Sequence, residues 1–444
     1  MIAELRARTL DLLAEWIAIP SVAGDSQALN RMAAAVTDWL RDRVQAEIIE
    51  SGQQATPPIV HARIDRGHAR TILLYNMYDV MPATSAGWSV PPFAGGVVDL
   101  PVLGPSFVGR GAENNKGPLA GMLVALEALL ARDSLPANIE ILIEGEEETG
   151  SSALRRYLRD PASPVRRCDT ALFPSFCEYG GGPPRVYLGT KGIAHGVIRL
   201  ANGPVWPVHS SNIPWLANPA WSLIAALDAA AGPNGTLGRI PLPPDAAPIL
   251  SALAAIFDPD AELRFRHAEN FTIPGSTRTK LEAVLTTTSL NLSSLSTDPP
   301  DGRAMIPSTA QARFDLRLPP GVDPAQTLAD LHIALGPTEL TIEDAYPGHR
   351  FPADDPAAIA LCDSYRAAGV APQIWPWAIG AMPSYAFAAI ADSFLIGGLG
   401  HGGNAHGPDE FVTLAGLDRF LAFTLTWLPA TARSLESQEP KREF

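Results

Sequence analysis

Four carboxylates fall within five residues at the end of a β-rich apolar run: Ile139, Ile141, Leu142 and Ile143 lead into Glu144-Gly-Glu-Glu-Glu-Thr-Gly-Ser151. Such a run reads as a buried strand that delivers acids to the C-terminal edge of a sheet, where α/β proteins place ligands. Glu146, Glu147 and Glu148 crowd like charges. Crowding raises at least one pKa and makes that carboxyl able to donate and accept protons near neutral pH. Glu147 is the candidate for this general acid/base role. Without companions, a cluster of glutamates after a strand reads better as a solvated turn, so the neighbouring motifs have to decide.

A second strand exit offers such a companion. Thr71-Ile72-Leu73-Leu74-Tyr75 is a short run of buried-strand type that empties into Asn76-Met77-Tyr78-Asp79-Val80-Met81-Pro82. Between the two exits lies Val108-Gly109-Arg110-Gly111-Ala112-Glu113-Asn114-Asn115-Lys116-Gly117-Pro118, at the entrance of a small-residue helix over Leu119 to Ala131. Its glycines allow a tight turn, and its polar side chains can point into a site. It lacks both the GxGxxG and the GxxxxGK[ST] spacing, so a nucleotide-binding reading is rejected. Cys177 has no histidine placed by sequence to activate it and is not read as a nucleophile.

The chain has 444 residues, 46% hydrophobic and 18% charged, long enough for two domains with sizeable cores. A net charge of −14 disfavours a nucleic-acid partner, which needs clustered Lys and Arg. Cys168, Cys177 and Cys362 are odd in number and carry no CxxC spacing, so neither a disulfide framework nor a thiolate zinc site is indicated. Charges at Glu4, Arg6, Arg8 and Asp11 interrupt the first apolar pattern, and no later run reaches a membrane-spanning length. A cytoplasmic protein with no membrane partner is expected.

In order and spacing, Tyr-Asp-Val-x-Pro after one strand, Gly-Arg-Gly-x-x-x-x-Lys-Gly before a helix and Glu-Glu-Glu-x-Gly-Ser after another strand resemble the M20 metallopeptidase family. The resemblance continues through Leu188-Gly189-Thr190-Lys191-Gly192-Ile193, Val208-His209-Ser210-Ser211, Ala217-Asn218-Pro219, Ile306-Pro307, Arg317-Leu318-Pro319-Pro320-Gly321 and the run from Gly398 to His406-Gly407-Pro408-Asp409-Glu410. It implies two metal ions, usually zinc, at the sheet edge, with Glu147 at the general-base position. The first metal's ligand positions read Met77, Asn114 and, by spacing from Asp169, Ser175. The second metal's read Asn114, Glu148 and His406. Three of the five positions therefore depart from the pattern, and two of those three remove a carboxylate. Met is a soft thioether unsuited to zinc beside oxygen ligands, and Asn and Ser are neutral and weak. No cofactor is expected. A single zinc on Glu148, His406 and Asn114 is left open, although it falls short of the three strong ligands of catalytic zinc sites.

The resemblance also assigns His209 to oxyanion stabilisation, often in the active site of a partner subunit, and Arg317 to a substrate carboxylate through its planar fork. Asp79 loses the metal-bound histidine it would orient and is left as an added acid of the pocket. Asn114, His406 and Met382 complete the expected substrate-binding set, with Trp375 and Trp377 as pocket wall. Bland readings stand beside these. Arg317 lies on an alternating strand, where a surface ion pair serves equally, and His406 could be a loop histidine satisfied by backbone.

The implied architecture is an α/β catalytic domain with a mixed, mostly parallel sheet, residues 1–184 plus 348–430. An inserted ferredoxin-like α+β lid spans 185–347, and a flexible tail 431–444. The lid's pattern is strand (Val186 to Leu200), helix (Pro219 to Ala231), strand (Ala310 to Leu318), helix (Pro324 to Leu335) and strand (Leu340 to Ile342); roughly 232–280 yields no clear pattern. The lid allows a homodimer. Two functions follow: an enzyme acting on an amide or related acyl bond of a small carboxylate-bearing substrate, by hydrolysis or by acyl transfer or cyclisation, without a binuclear metal; or a non-catalytic descendant that binds a small molecule or a partner protein.

Overall fold

The two apolar runs lie side by side in one sheet, and their register creates the site. In the computed structural model, residues 1–49, 57–300 and 302–437 are described. Helices α1 (Ile2–Ile17) and α2 (Ser26–Val44) precede strands β1 (Glu47–Ile48), β2 (Val60–Ile64) and β3 (Thr71–Met77). Helix α3 (Lys116–Ala131), strand β4 (Asn138–Glu144), helix α4 (Ser152–Arg159) and strand β5 (Thr170–Pro174) follow.

The lid begins with β6 (Gly189–Leu200) and α5 (Pro219–Ala230), continues through α6 (Ala246–Ile256), α7 (Pro259–Phe265) and α8 (Thr277–Thr286), and ends with β7 (Thr287–Asp298), β8 (Thr309–Leu318), α9 (Pro324–Leu335) and β9 (Glu339–Tyr346). The chain then returns through α10 (Pro356–Ala367) to β10 (Phe394–Gly397) and a long helix, Leu414–Glu436.

The first sheet has the order β1-β2-β4-β3-β5-β10. Strands β4, β3, β5 and β10 are mutually parallel, and β1 and β2 join antiparallel at one edge. This is the mixed, mostly parallel sheet of the α/β class. Parallel strands are covered on both faces, which is why β3 and β4 are buried after their first residue and mostly apolar, with Asn76, Glu140 and Glu144 as buried polar exceptions. Helix α3 is apolar nearly all round and packs between α1 and the helix Leu414–Glu436.

In the lid, β7-β8-β6-β9 form an antiparallel sheet with α5 and α9 packed on one face. With elements in the order β6-α5-β7-β8-α9-β9, this is the ferredoxin-like topology. The sequence offered no expectation for β7, because its Thr-Thr-Ser-Leu-Asn-Leu-Ser-Ser pattern is largely polar and solvent-facing.

Three expectations are corrected. The stretch 232–280 holds α6 and α7 and the start of α8, and α6 and α8 share an apolar cluster with Trp375 and Trp377. Both tryptophans are therefore core rather than pocket wall: Gln373–Trp375 pairs in parallel with Arg185–Tyr187 and is covered by α6. The last helix runs on to Glu436 with Thr431, Ala432 and Leu435 buried, so ordered structure passes the expected start of the tail at 431. Residues 438–444 of that tail lie outside the described residues.

Candidate active site

Register Met77↔Glu144 places the residues after β3 beside those after β4. Tyr78 N donates to the Glu144 carbonyl at 2.8 Å, and Gly145 is required because a Cβ there would lie 2.3 Å from the Tyr78 ring. Asp79, fully buried, accepts the backbone N–H of Glu147 at 3.2 Å on Oδ1 and that of Glu148 at 3.0 Å on Oδ2. Asp79 thus holds the acidic turn from below, a positioning role in place of the free pocket acid expected. Burial, joined by the charge of Glu148, pushes its pKa up to about 7.

The three crowded glutamates have separate fates. Glu146 turns away and caps α4, accepting Ala153 N at 2.7 Å and Ser152 Oγ at 3.0 Å. Glu147 is half-buried with no hydrogen bond to its carboxyl among the described residues. Burial first, then the charges of Glu148, Asp79 and Glu144, raise its pKa well above the usual range. Glu148 is deeper, its side chain 5% exposed. Below them Glu144 accepts Tyr75 Oη and Ser151 Oγ on one oxygen while its Oε2 has no partner, and burial pushes its pKa up to about 8.

Across the cleft, Asn114 Nδ2 donates to Glu148 Oε1 at 2.9 Å and lies 3.2 Å from His406 Nε2. His406 Nε2 is 3.1 Å from Glu148 Oε2, and this hydrogen bond raises the imidazole pKa. Asn114 and His406 are brought together by Glu410, which the sequence reading gave no role. Its buried carboxylate accepts Gly111 N, Glu113 N and Asn114 N at 2.9, 3.0 and 2.8 Å and Arg110 Nη1 at 2.7 Å. Arg110 in turn donates to the carbonyl of Gly407, next to His406. A buried acid four residues after a histidine was the available signal.

Of the first-metal positions, Ser175 is tied into a neutral hydrogen-bonded chain with neighbouring residues. Ser175 Oγ donates to Asn115 Oδ1 at 3.2 Å, Asn115 Nδ2 to Asn76 Oδ1 at 2.6 Å, and Asn76 Nδ2 to the Pro174 carbonyl at 3.2 Å. Met77, 2% exposed, offers only a thioether. At the bridging position, Asn114 aims N–H rather than a lone pair at Glu148. Among the described residues no group of three or more His, Cys, Asp or Glu could hold a metal ion. These donors do not fit a two-metal centre; Glu148 and His406 remain as a pair.

Of the expected site residues, the structure therefore joins Asp79, Asn114, Glu147, Glu148 and His406. His209 lies exposed on the lid, bonded through Nδ1 to Ser211. Arg317 pairs with Asp315 at 3.0 Å on the same strand, the surface ion pair weighed from the sequence. Met382 packs beside the cluster around Phe387 and Phe394, and its carbonyl accepts Thr190 Oγ1 at 2.9 Å. Among the described residues, no hydrogen bond or ion pair links these three to the acidic turn.

An α/β domain with acids at its parallel-sheet edge and a ferredoxin-like lid is the fold of the M20 metallo-carboxypeptidase of Sulfolobus solfataricus, with a TM-score of 0.84 at 22% identity over 96% of this chain and 99% of that one. Human carnosine dipeptidase 1 has it too, with a TM-score of 0.76 at 21% identity over 97% of this chain and 98% of that one. The chain belongs to peptidase family M20/M25/M40, whose model matches residues 73–428. It is 32% identical over 187 residues to the Cys-Gly metallodipeptidase of Schizosaccharomyces pombe, covering 41% of this chain and 38% of that protein. It is 35% identical over 164 residues to human Beta-Ala-His dipeptidase, covering 33% and 31%. The match spans less than half the length of each of these relatives. No helix among the described residues is long and apolar enough to cross a membrane.

Proposed function

We propose that the protein is an amidohydrolase acting on a small, carboxylate-bearing amide of dipeptide type, with Glu147 as general acid/base and no binuclear metal. The relatives named as metallodipeptidases supply the reaction class; the departure from metal chemistry rests on this chain's own donors. The observation that carries the reading is the Asp79-anchored turn. It presents Glu147, raised in pKa and unbonded at its carboxyl, beside a Glu148 whose oxygens are taken by Asn114 and His406.

In this mechanism Glu147 takes a proton from water as the oxygen attacks the amide carbonyl. It then delivers the proton to the leaving nitrogen as the C–N bond breaks. Without a metal to make hydroxide, the barrier for an ordinary peptide is high, so activated amides, or transfer of the acyl group to an internal nucleophile, suit the site best. His406 and Asn114 bind the polar end of the substrate, and Arg317 would have to leave Asp315 to pair with its carboxylate.

The lid segment that carries His209 exposes Val205, Trp206, Trp215 and Trp221 to solvent. Large exposed apolar side chains of this kind suit an association surface. A lid-to-lid homodimer would cover it and carry His209 to the cleft of the second copy.

The test is hydrolysis of a dipeptide panel including cysteinylglycine and β-alanylhistidine, in excess chelator, with wild type and Glu147→Gln. Turnover that survives chelation and disappears in Glu147→Gln supports the reading. Turnover that requires added zinc favours one metal on Glu148 and His406 instead, and no turnover with retained binding favours a non-catalytic descendant.

A further inference from the structure

We propose that Tyr346 contacts the substrate in this cleft, its hydroxyl donating a hydrogen bond to the oxygen of the amide attacked at Glu147. The inference rests on the functional reading above and adds to it the group that meets the developing oxyanion from within the same chain.

Tyr346 closes β9, the strand by which the lid returns to the α/β domain, and a clasp fixes it there. The register of β9 on β6 slips between Ile342 and Asp344, a bulge that aims Asp344 at the acidic turn. Asp344 Oδ2 pairs with Arg155 of α4, and a Cβ at Gly150, the residue that ends the turn bearing Glu147 and Glu148, would lie only 3.0 Å from that same oxygen. The Arg155 guanidinium lies 4.7 Å over the Tyr346 ring, which stacks on Tyr385 with centroids 5.8 Å apart and planes at 18°. Ring position is thus set from both sides by groups on the α/β domain, an arrangement that holds a side chain ready without ordering cost at the moment of reaction.

The hydroxyl is the part left over. No hydrogen bond among the described residues uses it, and it is not among the fully enclosed polar atoms without partners. Burial first, then the negative charge of Glu147, raises its pKa and keeps it a neutral donor. A neutral phenol with an unpartnered hydroxyl, clasped through Arg155 and Asp344 to the residue that ends the acidic turn, suits an amide, whose oxygen gains charge as water attacks. The bond breaks and forms as in the mechanism above, with no proton leaving Tyr346.

The experiment compares wild type, Tyr346→Phe and Glu147→Gln on the best-hydrolysed dipeptide of the panel, with melting curves for each. Tyr346→Phe keeps the stacked ring and should melt close to wild type. Loss of one oxyanion donor should lower kcat by about 10²-fold, with KM changed by less than about threefold. Full kcat in Tyr346→Phe with Glu147→Gln inactive overturns this inference and leaves the functional reading standing. A raised KM at unchanged kcat also overturns it, because the contact would then be equal in ground and transition states. An active Glu147→Gln, or a wild type without turnover, overturns the functional reading and this inference with it.

Discussion

Asn114 donates from Nδ2 to Glu148 Oε1 across 2.9 Å, so the residue at the family's bridging-ligand position points protons at the carboxylate with which it would share a metal. The contact replaces a cation with an amide N–H, and its neutrality removes the like-charge repulsion that a second carboxylate would bring. Asn114→Asp alone should therefore weaken the metal-free fold and, by giving Glu148 and His406 a third strong ligand, let a single zinc raise the melting temperature. Met77→His, Asn114→Asp and Ser175→Asp together should restore a ligand sphere. Zinc at about 100 times its Kd would then add about 2.7 kcal/mol, read as a rise in Tm that chelator reverses.

Asp79 is the support of the acidic turn, so Asp79→Ala leaves two backbone N–H groups without their acceptor. The expected cost is about 2–4 kcal/mol in chemical denaturation. Activity should fall at least about tenfold, since Glu147 loses its fixed position. Asp79→Asn retains one acceptor oxygen and should lose less of both.

Stability should fall as pH rises from mildly acidic to mildly basic. Glu144 is raised from its ordinary 4.5 to about 8. The folded state therefore holds a proton that the unfolded state has released, and the stabilisation is complete below about pH 4.5 and lost as pH rises through about 8. The slope per such group is at most about 1.4 kcal/mol per pH unit, and Asp79, raised to about 7, adds in the same direction. Melting curves between pH 5 and 9 should show the decline. Glu144→Gln, which keeps an oxygen for Tyr75 and Ser151, should flatten it.

The lid tryptophans test the assembly. Trp206 and Trp215 are each 79% exposed. Sedimentation velocity should show a dimer for wild type and a monomer for Trp206→Glu combined with Trp215→Glu, both with unchanged circular dichroism. A wild-type monomer at micromolar concentration would contradict a lid-mediated dimer.

Much of this was legible in the chain. The apolar runs before Met77 and Glu144 announce parallel strands because both faces are buried, and the motifs after them announce the site. Other features were not. That Glu146 caps α4 and leaves Glu147 alone depends on how the chain turns after Gly145, which spacing along the sequence does not encode. Trp375 and Trp377 read as pocket residues because they precede Gly380-Ala381-Met382-Pro383, yet α6 and α8, from a stretch without clear periodicity, cover them. Glu410 sits in a motif whose histidine draws attention, while its own work is to bind three backbone N–H groups from a loop some 300 positions earlier in the chain. Tyr346 belongs to an ordinary strand ending, and only the fold brings it against Arg155 and Tyr385.

The central claim is that this site works through Glu147 without a binuclear metal. The most direct measurement is metal content by mass spectrometry on protein purified without chelator, followed by dipeptide turnover on the same sample before and after exhaustive chelation. The account predicts well under one zinc per chain, with turnover unchanged by chelation and absent in Glu147→Gln. Two stoichiometric metal ions, with activity lost on chelation and regained on their return, would contradict it.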